Sequence, residues 1–469
     1  MSMPKRPNFL LVMTDQQRAD SVGYAHEMGG VGRRGSDTPH LDGFAHRGVI
    51  FDNAYSASTL CVPARSALLT GIFHERLPRV GGGRALKEGY WNIAHAMARA
   101  GYDTGLFGKM HFAPIHARHG FQVVRSCEHL GRTAGYGPED VDDYRRWLEA
   151  QDLADPRQPG ATSFPHDEAL HPAHWITDQA IDFLEKRQSF QPFFAIVSYT
   201  GPHAPYDPPK RYRDMYPWEV ETIPADGFEV NRDLPEVFQQ ALAPPAEESY
   251  RRKYVSALSP KYVSALSPES VKWTLAAIRA MIRQIDDQVV RLMSHVSLDD
   301  TVVFFTSDHG DYGGHRGLTG KLPWLPFDDL AKVPFFALGV GVEGGRRVAA
   351  PVQSCDFAAT CLELAGLKSP ARLDTESLAS VLRGAPEDAD RDVFCARSLG
   401  WPMIRRRNLK MLGHWTGVEG VDVMYDLESD PGETKNLAPE SPALVKTLRD
   451  SLYKPIQQSE MDLWVHPPR

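Results

Sequence analysis

Short apolar runs recur along the chain, each bounded by turn residues, with amphipathic stretches between them. NFLLVMT from Asn8, PFFAIVSYT from Pro192, TVVFFTSD from Thr301 and VPFFALGV from Val333 are apolar at odd and even positions alike. A strand wet on one face would alternate, so these read as strands buried on both faces. WNIAHAMARAG from Trp91 and HWITDQAIDFLEKRQ from His174 space their apolar residues three and four apart and read as helices. The alternation predicts an α/β fold with a large, mostly parallel (mixed) central sheet flanked by helices. SCDFAATCLELAGL (354–367) reads as a helix ending near Gly366. From about residue 385 the pattern changes. RDVFCARS, MIRRRNLKMLGHW and VDVMYDLESDPGE read as strands joined by turns, and SPALVKTLRDSLYKPIQQ as a closing helix. The expected organisation is therefore an N-terminal α/β domain over 1–384 and a small antiparallel α+β subdomain over 385–469. Residues 204–270 are Pro-rich and read as an irregular surface excursion. Within them KYVSALSP occurs twice in succession, at Lys253–Pro260 and Lys261–Pro268. One tandem copy is no solenoid and is assigned no function.

Composition narrows the function classes. The 469 residues are 42% hydrophobic and 24% charged, an ordinary globular balance with length for a large core. The net charge of −8 carries no basic excess and argues against nucleic acid as a partner. The first apolar stretch, Phe9–Met13, is too short for a signal peptide or a membrane span. The five cysteines (61, 127, 355, 361 and 395) are odd in number and form no C-x-x-C pair. A reduced, cytoplasmic protein without membrane contact or structural disulfides is expected. Oligomeric state stays open, a homo-oligomer included.

The chemistry concentrates in a few motifs. In open parallel sheets ligands gather beyond the carboxyl ends of the strands, and Asp15, His203 and Asp308 each stand at that end of an expected strand. Asp15-Gln16 and Asp308-His309 offer hard oxygen donors and one imidazole, a set suited to a divalent cation. Cys61 opens CVPARSALLTG. A lone cysteine is more often a small buried hydrophobe than a nucleophile. This run, however, resembles the C-x-P-[SA]-R-x-x-x-x-T-G signature of type I sulfatases in the alkaline-phosphatase superfamily. SDTPHLDGFAHRGVIFDNAYSAS (36–58) and YDLESDPGETKNLA are similar to further family stretches, so the resemblance spans most of the chain. Pro63 is expected to keep Val62 extended, so that Cys61 lies on an exposed segment before folding, and SALLTG to begin a helix whose amides favour an anion.

The resemblance implies roles residue by residue. Cys61 would be oxidised by a formylglycine-generating enzyme, and the hydrated aldehyde would attack sulfur as a covalent nucleophile. Asp15, Gln16, Cys61, Asp308 and His309 would hold the metal, with calcium favoured and manganese next. Arg65 would brace residue 61 and a sulfate oxygen. In Gly108-Lys109-Met110-His111, Lys109 would stabilise the anionic hydrate and bind substrate, and His111 would take the proton that lets sulfate leave. His203 and Lys321 would bind the sulfate, His203 or Lys321 would protonate the departing alcohol, and Asp308 would accept the nucleophile's proton. The expected activity is hydrolysis of a small-molecule sulfate monoester. Gln16 and His309 depart from the commoner aspartate and asparagine, and resemble choline-sulfatase-like and phosphonate-monoester-hydrolase-like members. The alternative is accordingly a phosphonate monoester or phosphodiester hydrolase with the same nucleophile. His315, Arg316, Trp324, Tyr206 and Trp401 are loop residues read first as packing.

Overall fold

The structure is a computed structural model. It describes residues 6–28, 37–77, 79–80, 85–111, 113–128, 141–153, 163–187, 190–224, 231–242, 268–369, 372–395, 400–414 and 421–465. The first KYVSALSP copy and all of the second but Pro268 lie outside these residues.

The central sheet has eight strands: β1 (Asn8–Asp15), β2 (Val49–Phe51), β3 (Asp103–Gly108), β4 (Val123–Ser126), β5 (Phe193–Pro202), β6 (Thr301–Ser307), β7 (Phe335–Gly339) and β8 (Arg346–Val348). Their order is β8-β2-β7-β6-β1-β5-β3-β4. The run β6-β1-β5-β3-β4 is parallel throughout, and only β7 runs against its neighbours β6 and β2. The apolar runs name the central strands, and the burial of β1 on both faces explains why its sequence does not alternate. Phe9, Leu11 and Met13 enter one core, and Leu10 and Val12 the other. The first core is closed by helices α2 (Cys61–Thr70), α3 (Ile93–Arg99) and α7 (Asp356–Leu364), through residues such as Leu68, Met97 and Phe357. The second is closed by α1 (Pro39–Arg47), α5 (Pro172–Lys186) and α6 (Pro268–Met293), through Leu41, Ile176, Ile285 and Val289. The result is a three-layer α/β/α domain.

The helix α6 is the one large element the sequence reading does not name. It begins where the excursion was expected to end, and its Asp286 accepts hydrogen bonds from the backbone N–H of His40 (3.2 Å) and Leu41 (2.7 Å). That carboxylate caps the first turn of α1 from a neighbouring helix. The described part of the excursion is less irregular than expected, since it forms the short helices Lys210–Met215 and Glu236–Leu242. A further helix, α4 (Asp143–Glu149), follows β4.

A second sheet, β9 (Asp392–Cys395), β10 (Met403–Arg406), β11 (Leu409–Leu412) and β12 (Val423–Asp426), is antiparallel in chain order. The closing helix α8 (Pro442–Val465) covers one face with Leu448 and Leu452 against Ile404, Met411 and Met424. The other face packs Met403, Leu412 and Tyr425 against Tyr55, Leu325 and Phe327 of the large domain. Lys410, fully buried in that contact, places its Nζ 2.6 Å from Asp328 and 2.7 Å from Glu433. Among the described residues no helix is long and apolar enough to cross a membrane.

Candidate active site

Five adjacent parallel strands deliver side chains to one edge of the sheet. Asp15 ends β1, Lys109 follows β3, Glu128 follows β4, His203 follows β5 and Asp308 follows β6. Register sets the neighbours: Asp15 lies opposite Pro202, and Gly108 opposite both Ser126 and Ser198. Gln16 turns the chain out of β1 with φ at +65°, which brings its backbone N–H to Asp308 Oδ1 at 3.0 Å. Its side-chain Nε2 donates to Asp311 Oδ2 at 2.5 Å.

Cys61 arrives from the other layer. The helix α2 starts at Cys61 itself rather than at Ser66, so in the folded chain Val62 is helical and not extended. Pro63 is tolerated there because first-turn residues have no intrahelical acceptor for an N–H. Starting the helix this early puts Arg65 one turn beyond Cys61 on the same face. Arg65 is 1% exposed and spends its donors on the frame. Nε donates to Asp308 Oδ2 at 2.9 Å, one terminal nitrogen to Asp15 Oδ2 at 2.8 Å, and the other to the Lys109 carbonyl and Ser198 Oγ at 2.5 and 2.8 Å. In these contacts Arg65 braces the two aspartates, beyond the residue 61 and sulfate oxygen expected of it.

Around the Cys61 Sγ stand His309 Nε2 at 3.2 Å, Lys321 Nζ at 2.9 Å and Asp15 Oδ1 at 4.0 Å. Lys321 Nζ also lies 3.3 Å from His309 Nε2, and Lys109 Nζ, fully buried, lies 2.5 Å from Asp15 Oδ2. His111 and His203 come from the ends of β3 and β5; the described bonds of His111 go to Glu128 and those of His203 to the Ala204 carbonyl, 2.8 Å from Nδ1. The fields around Cys61 oppose one another. Burial and Asp15 push the thiol up, but Lys321, Lys109 and His309 outweigh them and leave it below its usual range. Burial likewise pushes the Lys321 ammonium down, and Cys61, Asp15 and Asp308 more than restore it, so it is held above its ordinary value. Lys321, Lys109 and His309 thus set positive charge around a buried thiol.

Ligand atoms of Asp15, Cys61, Asp308 and His309 all lie within 4.8 Å of one another, and all four residues are buried. Two carboxylates and an imidazole in that space fit a divalent cation. His309 Nδ1 is held 2.9 Å from the Gly310 carbonyl, which leaves Nε2 as the ligand nitrogen. Gln16 reaches the group through its backbone bond to Asp308, while the bond to Asp311 fixes its amide.

Three contributors have no place in the sequence reading. Ser198 accepts from Arg65 inside a run that reads only as strand. Asp311 receives, besides Gln16, the N–H groups of Gly313 and Gly320, and so anchors the loop that carries Lys321. Its position in DHGD was the available signal. Glu128 accepts from the N–H of Met110 and His111. The strand-end rule that found Asp15 applies to it as well, but β4 is a short edge strand without an apolar run. Among the loop candidates, Arg316 is buried over the Phe327 ring at 3.6 Å and donates to the Glu433 carbonyl, Trp401 packs on Phe238, and Tyr206 lies in the cluster of Trp273.

Comparison with known proteins places this geometry. The family model described as Sulfatase matches residues 7–367, and that described as N-sulphoglucosamine sulphohydrolase, C-terminal, matches 325–459. The chain is 30% identical to an arylsulfatase of Clostridium perfringens, over 97% of this chain and 95% of the relative. It is 27% identical to a choline-sulfatase of Rhizobium meliloti, over 92% and 83%. In fold it is similar to a phosphonate monoester hydrolase of Agrobacterium radiobacter, with a TM-score of 0.76 at 24% identity, covering 97% of this chain and 96% of that one. The mixed sheet, the second antiparallel sheet and the matched length agree, and the chain is a hydrolase of sulfuric ester bonds that belongs to the sulfatase family.

Proposed function

We propose that the protein hydrolyses a small-molecule sulfate monoester through formylglycine at position 61, with one divalent cation bound by Asp15, Asp308, His309 and residue 61. The observation that carries this reading is the convergence of Lys321, His309 and Asp15 on the buried Cys61 Sγ. In the structure that sulfur marks where the oxygens of a hydrated aldehyde would sit. Formylglycine supplies a geminal diol, of which one hydroxyl attacks sulfur and the other, once deprotonated, lets the aldehyde re-form as sulfate leaves. A cation at the two aspartates would favour the ionised hydroxyl and neutralise a sulfate oxygen; calcium is the favoured ion and manganese the next. Arg65 holds the two carboxylates in place, and Asp308 takes the attacking hydroxyl's proton. Lys109, held on Asp15, adds positive charge beneath the nucleophile. Lys321 and His203 offset the charge that grows on the ester oxygen, and one or the other donates the proton to the leaving alcohol. His111 takes the second proton.

A formylglycine-generating enzyme would be the maturation partner and the cytoplasm the working compartment. The test is the mass of the peptide containing residue 61, together with turnover of an aryl sulfate by Cys61→Ala protein. The reading expects the mass loss of thiol-to-aldehyde conversion in active protein and no turnover in the variant. Unmodified cysteine in fully active protein would sink it.

A further inference from the structure

We infer that Glu128 is a positioning residue for sulfate release and acts through His111. The inference rests on the reading of His111 given above and extends it to a residue with no motif of its own. The topology creates the contact. Strands β3 and β4 are parallel with Gly108 opposite Ser126, so the chain two residues beyond each strand end lies side by side. Glu128 Oε1 accepts from the backbone N–H of Met110 at 3.0 Å and of His111 at 2.9 Å. Its Oε2 lies 3.8 Å from His111 Nε2. That is ion-pair distance, too long for a hydrogen bond. Glu128 is itself fixed: its N–H donates to Asp142 Oδ2 at 2.8 Å, and Asp142 Oδ1 caps α4 at the Arg145 N–H. Both partners are buried, at 4% exposure for Glu128 and 7% for His111.

This arrangement has two consequences. The two backbone bonds hold His111 in its left-handed conformation, φ +57°, which an unsupported histidine seldom adopts. The second carboxylate oxygen faces the ring, so a proton gained by His111 is met by a negative charge in a dry environment. In the release step His111 takes the proton of the free hydroxyl on residue 61. The electron pair of that O–H bond closes the aldehyde C=O, and the carbon–oxygen bond to sulfate breaks, its electron pair leaving with sulfate. The step makes an imidazolium, and Glu128 favours it. Attack on sulfur makes none at His111, so Glu128 bears on the second half of the reaction alone.

The experiment compares formylglycine-bearing wild type, His111→Ala, Glu128→Gln and the double variant on an aryl sulfate, by stopped-flow detection of the phenol and by the mass of the quenched residue-61 peptide. Glutamine keeps the acceptor for the two backbone N–H groups and removes the charge, and Tm checks its fold. Expected for Glu128→Gln is a phenol burst at near wild-type rate, then turnover slower by roughly 10- to 100-fold, less than the roughly 100- to 10,000-fold of a general base itself because Glu128 acts through His111. The quenched peptide then carries one retained sulfuryl group, and the double variant is no slower than His111→Ala. Equal slowing of burst and turnover by Glu128→Gln, or multiplicative losses in the double variant, overturns the inference. A retained sulfuryl group in His111→Ala but not in Glu128→Gln overturns it alone; its absence from His111→Ala removes the role of His111 and overturns both. If the glutamine variant does not fold, Glu128→Asp keeps the charge one methylene further back and carries the same cycle, with a smaller effect of the same sign expected.

Discussion

Replacing Arg65 by leucine tests how the two aspartates are kept charged and close. Arg65 is 1% exposed at the side chain, and Asp15 and Asp308 are at 0%. Its guanidinium lies 2.8 Å from one carboxylate and 2.9 Å from the other. Leucine fills part of the volume but leaves the carboxylates facing each other, with Ser198 and the Lys109 carbonyl short of a donor. Lys109 still neutralises Asp15 from 2.5 Å, so most of the loss falls on Asp308. Removing one partner of a buried pair costs about 3–5 kcal/mol. With an unfolding entropy of roughly 2.1 cal/mol/K per residue, a chain of 469 residues has about 1 kcal/mol/K, so the melting temperature should fall by about 3–5 °C. A cation at the same carboxylates replaces the lost charge. The deficit should therefore be full in chelator and shrink as calcium or manganese is added, by more than metal stabilises the wild type. Thermal unfolding of both proteins, in chelator and across a metal titration, reads this directly. A leucine variant within about 1 °C of wild type in chelator would refute the reasoning, because the carboxylates would then not depend on Arg65. A deficit indifferent to metal would separate the aspartates from the cation.

Other predictions concern single residues. Lys321→Ala, removing a cation 2.9 Å from the nucleophile position, should lower kcat for an aryl sulfate by roughly 100- to 1000-fold; a loss under tenfold in steady-state kinetics would contradict its place in the site. His171 caps α5 by accepting the Ala173 N–H at Nδ1, 3.1 Å away, and burial, aided by His174, pushes its pKa down to about 3. Its folded pKa lies below the unfolded value near 6.5, so between about pH 6.5 and 3 the unfolded chain binds the extra proton and stability falls with pH, by up to about 1.4 kcal/mol per unit. His171→Asn keeps a cap acceptor without titrating and should flatten that part of the denaturation profile; an unchanged slope would show that other groups set it.

Much of this was legible because burial on both faces leaves a plain mark. NFLLVMT and TVVFFTS could only be central strands, and a parallel sheet then gathers the residues just past their carboxyl ends at one edge. That logic brought Asp15 and Asp308 together across nearly three hundred residues, and the CVPAR run supplied the partner. Where the reading fell short, the cause is local. The start of α2 depends on what Cys61 and Arg65 bond to after folding, which the preference of residues before proline does not encode. Arg65 was expected to brace residue 61 and a sulfate oxygen, and nothing in the sequence reveals its bonds to two aspartates, Ser198 and a carbonyl. Glu128 lies just past a strand of four residues of which only Ser126 is buried, so its arrival beside His111 is a fact of register. The antiparallel insertion of β7 is equally silent, since VPFFALGV would look the same in either direction.

The most direct test of the central claim is kcat/KM for an aryl sulfate, an aryl phosphonate monoester and an aryl phosphodiester, measured side by side with Cys61→Ala protein as the blank. The account predicts that the sulfate leads by more than about a hundredfold, roughly 2.7 kcal/mol of transition-state preference. A phosphorus ester in the lead would contradict it and move the assignment to phosphonate monoester or phosphodiester hydrolysis.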